Sequence, residues 1–368
     1  MREVLPVLLA AYARGEPVAL ATLVRTWNSA SRPPGSSLLV TEQGGVVGTV
    51  SGGCVEGDLY EVGLQVLATG EPVVATYGVS DDDAFAAGLT CGGSLEAFVQ
   101  RVSPESWPEL PSVAASIQSG EPVAVATVVR GPAHVGRRLV VRDGAVEGSL
   151  GDRRLDASVG AEVLGLPVTG ETRWLSFAPE GERAGSAFEV FVASYAPLPR
   201  LVVFGATDVA GALCRAARPL GYRTTVVDAR PVFATPERIP DADEVIVDWP
   251  DRWLGAHPVD ERSAICVLTH DPKFDIPALV AAVRTPAGFI GAMGSRRTHD
   301  GRVARLLEAG LSDEEIARIH SPIGLDLGAW TPEEVALSIA AQLVQVRRGG
   351  SGAPLSGGHG RLHAEGGP

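Results

Sequence analysis

One glycine turn that carries a cysteine is the part of this sequence best suited to chemistry. In the run SGGCVE, Cys54 directly follows Ser51, Gly52 and Gly53. Such small residues allow a ligand to approach the backbone closely and leave N–H groups available as donors. Glu56 lies two residues beyond the thiol, on the same face if this stretch is extended. We predict Cys54 and Glu56 as catalytic, and the turn with its cysteine as a ligand-binding segment.

A second thiol stands beside a second glycine turn, where Cys91 precedes Gly92 in the run GLTCGGS. Two cysteines in one unit could bind a soft metal, handle sulfur, or simply be buried. They lack CxxC spacing and the seven histidines form no ligand pattern with them, which argues against structural zinc. We therefore predict Cys91 and Gly92 as ligand contacts without a metal. Cys214, in a helical pattern, and Cys266, in an apolar run, are expected in the core.

The second half of the chain contains a glycine turn typical of dinucleotide-binding folds. Gly205, Thr207 and Ala210 occupy the three positions where such folds carry small residues. Thr207 departs from the pattern, because a β-branched side chain stands where a phosphate approaches the backbone. Asp228 ends the next strand, where an acid accepts a ribose hydroxyl. Gly205 and Asp228 are thus candidate contacts of NAD(P) or another nucleotide, the alternative being a scaffold without a ligand.

A further glycine turn, GAMGSRRT, follows the last apolar run and opens a helix. Ser295 is suited to cap that helix, whose first N–H groups together with Arg296 would suit an anion. We predict Ser295 and Arg296 as cofactor contacts at the carboxyl edge of a parallel sheet. A capped helix with solvated arginines is the alternative.

The elements that must position these residues fall into a duplicated half and a βα half. EPVALATLVR at 16–25 recurs as EPVAVATVVR at 121–130, and short alternating runs broken by glycine are typical of half-buried strands. The sequence predicts an α/β protein with four segments. These are two related mixed α/β units over 1–105 and 106–197, a Rossmann-like doubly wound parallel sheet over 198–348, and a disordered tail over 349–368.

Composition excludes several classes of protein. The 368 residues carry a formal charge of −13, which disfavours a nucleic-acid partner. No stretch approaches the ~20 apolar residues of a membrane span. Four scattered cysteines do not make a disulfide scaffold, so a cytoplasmic protein with free thiols is expected.

Taken together, the motifs resemble the XdhC/CoxI family, the accessory proteins of xanthine dehydrogenase and carbon monoxide dehydrogenase. They follow the family's order along nearly the whole chain, and SGGCVE and GVSD look closer to the CoxI side. The matching stretches are TWNSASRPPGS, GTVSGGCVEGD, YGVSDDDAFAAGLTCGG, the Rossmann turn, LTHDPKFD, FIGAMGSRRTH and SPIGLDLGAWTPEEVALSIAAQ.

The resemblance implies a protein that binds molybdenum cofactor, helps its terminal sulfur ligand to be installed, and delivers it to a molybdenum hydroxylase apoenzyme. It implies a cysteine desulfurase-type sulfur donor as a second partner, and Cys54, Glu56 and Cys91 among the cofactor contacts. A maturation chaperone is expected rather than a turnover enzyme, and a homodimer is the default assembly. Two alternatives remain: an NAD(P)-dependent oxidoreductase, and a non-catalytic scaffold that docks hydroxylase and sulfurase.

Overall fold

The computed structural model describes residues 1–27, 31–78, 94–166, 170–178, 181–183 and 187–357. Cys91 and Gly92 lie outside these ranges, as does the end of the predicted tail. The described chain divides into two compact units. One contains the described residues up to Pro197, and the other contains those from Leu198 onward.

The N-terminal unit contains two five-stranded antiparallel sheets that share one strand order. The first sheet runs β3-β2-β1-β5-β4 and the second β8-β7-β6-β10-β9. The strands of the first are β1 Val18–Trp27, β2 Ser37–Thr41, β3 Val46–Gly48, β4 Val73–Tyr77 and β5 Ser94–Val102. Those of the second are β6 Val123–Arg130, β7 Arg138–Arg142, β8 Ala145–Ser149, β9 Arg173–Phe177 and β10 Phe188–Tyr195.

Each of these sheets has a helix on one face and apolar contact with the other half of the unit on its second face. Helix α2 (Glu56–Thr69) packs on the first sheet through Leu59 and Val66. Helix α4 (Arg153–Val163) packs on the second sheet in the same way. Phe98 of β5 and Phe191 of β10 belong to one apolar cluster that joins the two sheets. Helices α1 (Leu5–Ala13) and α3 (Leu110–Ser119) pack in a second cluster with residues of β1 and β6.

The C-terminal unit is a six-stranded parallel sheet in the order β13-β12-β11-β14-β15-β16. Its strands are β11 Arg200–Phe204, β12 Arg223–Asp228, β13 Glu244–Val247, β14 Ala264–Val267, β15 Phe289–Ala292 and β16 Ile319–His320. Its helices are α5 Asp208–Ala217, α6 Pro250–Ala256, α7 Pro272–Ala282, α8 Arg296–Glu308, α9 Asp313–Ala317 and α10 Pro332–Arg348. Short 3₁₀ turns occupy Arg218–Leu220 and Leu355–Gly357.

Helices cover both faces of this parallel sheet, so it is doubly wound. Helices α5 and α10 pack on one face, and α6 to α9 pack on the other. Cys214 and Cys266 are both fully buried in the first of these layers, as predicted. Capping boxes begin two of these helices, with Ser312 capping α9 and Thr331 capping α10. The predicted α/β fold class with a Rossmann-like second half is confirmed. None of the described helices is both long and apolar enough to cross a membrane.

Candidate functional site

Residues 51–55 of the SGGCVE run lie in the loop that joins strand β3 to helix α2. Cys54 and Glu56 would share a face only in an extended stretch, and this condition is not met. Glu56 is the first residue of α2, and Val55 before it makes no side-chain capping bond. Instead, the carboxylate of Glu56 reaches back into the loop that precedes the helix.

Glu56 holds the loop through a dense set of accepted hydrogen bonds. Its Oε1 accepts from the backbone N–H of Val50 at 3.1 Å and of Ser51 at 2.8 Å. Its Oε2 accepts from the N–H of Gly53 at 2.8 Å and of Val55 at 3.2 Å. The hydroxyl groups of Thr49 and Ser51 donate to the same carboxylate. The side chain therefore binds the loop backbone as a capping anion would.

These contacts fix the charge of Glu56. Burial alone would raise its pKa, but the hydrogen bonds from Ser51, Thr49 and the backbone prevail and lower the pKa from 4.5 to about 2. A carboxylate held in this way is a weak proton carrier near neutral pH, because its protonated form is rarely populated. The geometry gives Glu56 a positioning role in the loop, and its predicted catalytic role is untested.

The glycines supply access to the loop, but their N–H groups do not point outward as donors. The N–H of Gly52 donates to Thr49 Oγ1 at 2.9 Å, and that of Gly53 is taken by Glu56. The expectation that this turn exposes free N–H donors is therefore wrong. Both glycines have positive φ, 80° and 119°, and a Cβ built on Gly53 meets no atom within 4 Å. The open space at Gly53 allows a ligand to approach the backbone.

Cys54 is a half-buried free thiol at the mouth of this loop. Its N–H donates to Ser51 Oγ at 2.9 Å, and its side chain packs beside the apolar layer between α2 and the first sheet. Ser31 of the preceding loop donates to the carbonyl of Ser51. The structure thus joins Ser51, Gly52, Gly53, Cys54 and Glu56 in one hydrogen-bonded turn. Among the described residues no cluster of three or more His, Cys, Asp or Glu could hold a metal ion.

The equivalent loop of the second half keeps the carboxylate with one hydroxyl donor and one backbone donor, but it has neither the pair of glycines nor the cysteine. Asp156 accepts from Ser149 Oγ at 2.7 Å and from the N–H of Leu150 at 2.6 Å. Asp152 caps helix α4 by accepting from the N–H groups of Arg154 and Leu155. This shared clamp was not predicted from the sequence, although a signal was present. A hydroxyl residue precedes an acidic residue by seven positions in both halves.

In the C-terminal unit, Gly205 and Asp228 lie together at the carboxyl ends of β11 and β12. Gly205 has a φ of 109°, and a Cβ there would lie 2.6 Å from Thr269 Cγ2, so only glycine fits. Thr207 caps helix α5, its Oγ1 accepting from the N–H of Ala210 at 3.2 Å. This capping role explains why a β-branched residue stands where the nucleotide fingerprint has glycine.

Asp228 does not present a free carboxylate to a ribose. Arg230 donates to it from Nε and Nη2 at 2.9 and 2.7 Å, and the N–H of Ala206 donates at 2.9 Å. Burial would raise its pKa, but the hydrogen bonds from Arg230 lower it. A ribose hydroxyl would have to displace Arg230, so the nucleotide contact stays a prediction.

Ser295 caps helix α8, its Oγ accepting from the N–H of Thr298 at 3.1 Å. Arg296 is exposed at the start of this helix. Arg302 of the same helix is buried, and its guanidinium pairs with the carboxylate of Asp275 at 3.2 Å. Ser295 follows β15 and Asp228 ends β12, with β11 and β14 between those strands, so the two predicted contacts do not meet.

Comparison with known proteins places both units in one family. Residues 201–343 match the family model described as the XdhC Rossmann domain. Residues 11–78 and 116–178 match the model of the XdhC and CoxI family, one segment in each half of the N-terminal unit. The matched residues together make up most of the chain.

Individual relatives align over nearly the full length. A Bacillus subtilis (strain 168) protein, named as a probable subunit of xanthine dehydrogenase, is 28% identical over 90% of this chain and 94% of its own. The Escherichia coli (strain K12) "Molybdenum cofactor insertion chaperone PaoD" is 26% identical over 94% and 88%. A crystal structure described as a xanthine dehydrogenase from Bacillus halodurans superposes with a TM-score of 0.74 at 25% identity, covering 97% of this chain and 98% of that one. The resemblance read from the motifs is therefore confirmed, and the chain belongs to the XdhC and CoxI family.

Proposed function

We propose that this chain is an accessory protein of molybdenum cofactor maturation. It binds the cofactor as cargo, promotes its sulfuration and inserts it into a xanthine dehydrogenase- or carbon monoxide dehydrogenase-type hydroxylase. The observation that carries the proposal is the family membership together with the similarity to a molybdenum cofactor insertion chaperone along most of both chains. Within the chain, the loop of residues 51–54 is the proposed contact with the cargo.

The geometry of that loop suits a carrier that must hold and then release its cargo. Glu56 fixes the backbone around Ser51 and Gly53, so the loop is organised before any ligand arrives. The open space at Gly53 allows a flat ring system to approach the backbone. The half-buried thiol of Cys54 lies beside this opening and can contact a soft metal centre or its sulfur ligand.

Finer parts of the proposal concern partners and assembly. The chain is expected to meet a hydroxylase apoenzyme and a cysteine desulfurase-type sulfur donor, and to act as a cytoplasmic homodimer. A role for NAD(P) in the Rossmann-like unit remains a prediction, since Arg230 occupies the carboxylate of Asp228.

Co-purification tests the binding step. The chain is produced in a host that makes the cofactor, and bound molybdenum and pterin are measured after purification. The proposal predicts that molybdenum and pterin are bound in a constant ratio. Protein made by a host unable to synthesise the cofactor should contain neither. Pterin-free and molybdenum-free protein from the competent host would refute cargo binding.

Maturation is tested separately by co-producing a molybdenum hydroxylase with and without this chain. We expect a larger fraction of hydroxylase that contains cofactor, and a larger active, sulfurated fraction, when the chain is present. Equal active fractions would show that the chain does not promote sulfuration or insertion for that hydroxylase class.

A further inference from the structure

A cavity of about 420 Å³ lies within the N-terminal unit and is lined by segments from both of its halves. Arg101 of strand β5 borders it from the first half. Arg137 and Arg138, at the start of strand β7, border it from the second. Its volume is in the range of pockets that hold small organic ligands. Three guanidinium groups around one cavity are unexpected in a chain whose formal charge is −13.

Arg138 is buried without a full set of partners. Only 6% of the residue is exposed, and its Nη1 donates to the carbonyl of Ser106 at 3.1 Å. Its guanidinium lies 4.2 Å from the ring centre of Trp107. Its Nη2 is buried with no hydrogen-bond partner among the described residues. Burial lowers the pKa of Arg138 to about 9, with Glu109 acting in the opposite direction. Such a buried cation is costly unless an anion compensates it.

The charged side chains that line the cavity include more cations than anions. Arg101 and Arg137 are exposed, and neither forms a salt bridge in the part of the chain that the structure describes. Two carboxylates, Glu105 and Glu109, also border the cavity. Glu105 is engaged by Ser103 Oγ at 2.7 Å. Three cations therefore face two anions.

We propose that this cavity binds a small organic anion through its phosphate or carboxylate group. Arg101 and Arg137 contact the anion directly, and the guanidinium of Arg138 adds favourable charge beneath them. Arginine suits this task because its fork of donors matches both groups. The site is independent of the proposed cofactor loop.

Calorimetric titration of the full-length chain with inorganic phosphate and, separately, with succinate tests the proposal. We expect at least one of the two anions to bind, and the comparison shows which chemistry the cavity prefers. Replacing Arg138 would disturb the core, so the test uses the exposed pair. The double variant Arg101→Ala/Arg137→Ala is expected to bind that anion about tenfold more weakly or worse, since each lost charged hydrogen bond amounts to roughly a factor of ten.

Two controls separate this site from other arginines. Arg153→Ala removes an exposed arginine of the same unit, and Arg305→Ala removes an exposed arginine of helix α8 in the other unit. Both should bind as wild type does. The proposal is overturned if neither anion binds, if the double variant binds as tightly as wild type, or if a control loses affinity equally. Molybdenum content should be unchanged in the double variant, so failure here leaves the cofactor proposal standing.

Discussion

The two loops that follow β3 and β8 share a scaffold and differ in what they present. In both, a hydroxyl residue at the strand end donates to a carboxylate seven positions later, Thr49 to Glu56 and Ser149 to Asp156. The clamp is thus common to both halves and belongs to the architecture. What differs is the segment between the two clamp residues.

In the second half, the latter part of the segment between the two clamp residues is helical. Asp152 caps helix α4, which begins at Arg153, so the residue matching Cys54 is Arg154 in the first helical turn. In the first half, helix α2 begins only at Glu56, and glycines with positive φ keep the preceding residues unwound. With the clamp unchanged, the absence of one helical turn therefore creates the opening in which Cys54 lies.

The largest effect is expected from removing the clamp itself. Glu56→Ala removes the carboxylate that accepts from four backbone N–H groups and two hydroxyls, although the N–H of Val55 also donates to Ser51 Oγ. Asp156→Ala removes the acceptor of one N–H and one hydroxyl. We expect a loss of about 3 kcal/mol of unfolding free energy for the first and about 1.5 kcal/mol for the second. Urea unfolding followed by circular dichroism measures both. Equal losses would show that the two loops depend on their carboxylates alike.

Acid should weaken the first loop over a defined pH range. The folded pKa of Glu56 is about 2 against an ordinary 4.5. A lowered pKa means that its stabilisation is complete above pH 4.5 and is lost as pH falls towards 2. The difference in urea midpoint between wild type and Glu56→Gln should therefore shrink between about pH 5 and about pH 3. A difference that stays constant over this range would contradict the assigned contacts.

A smaller effect should distinguish the unwound segment from its helical counterpart. Gly53→Ala places a side chain at a φ of 119° and should cost about 1 kcal/mol through the backbone alone, since the added Cβ meets nothing. Arg153→Ala at the matched helical position should change stability by less than about 0.5 kcal/mol. Thermal unfolding of the two variants measures these changes in stability. If Gly53→Ala is as stable as wild type, the loop is not held in the described conformation.

Much of the fold was predictable because its signals are local and repeated. Alternating runs indicated the strands of the first half, and the βα pattern with Gly205 indicated the parallel sheet. The start of helix α2 was not predictable in the same way. Val55 is not a capping residue, and the carboxylate that organises this helix end lies inside the helix.

The local shape of the candidate site was predicted only in part. The glycines and Cys54 do lie in one turn, but the partners of their N–H groups depend on how Glu56 folds back. The pairing of Arg230 with Asp228 was equally hidden, because a sequence shows that two charges are near and not whether they meet. Whether two neighbouring charged side chains form an ion pair depends on the three-dimensional packing around them.

The most direct test of the central claim, that only the first of the two loops holds the cofactor, is the molybdenum content of two matched variants. Cys54→Ala and Arg154→Ala alter equivalent positions of the two loops and are purified from a host that makes the cofactor. If the first loop alone holds the cofactor, Cys54→Ala loses most of the bound molybdenum and pterin while remaining folded, and Arg154→Ala retains the wild-type amount. Wild-type loading of Cys54→Ala, or equal loss in both variants, would contradict it.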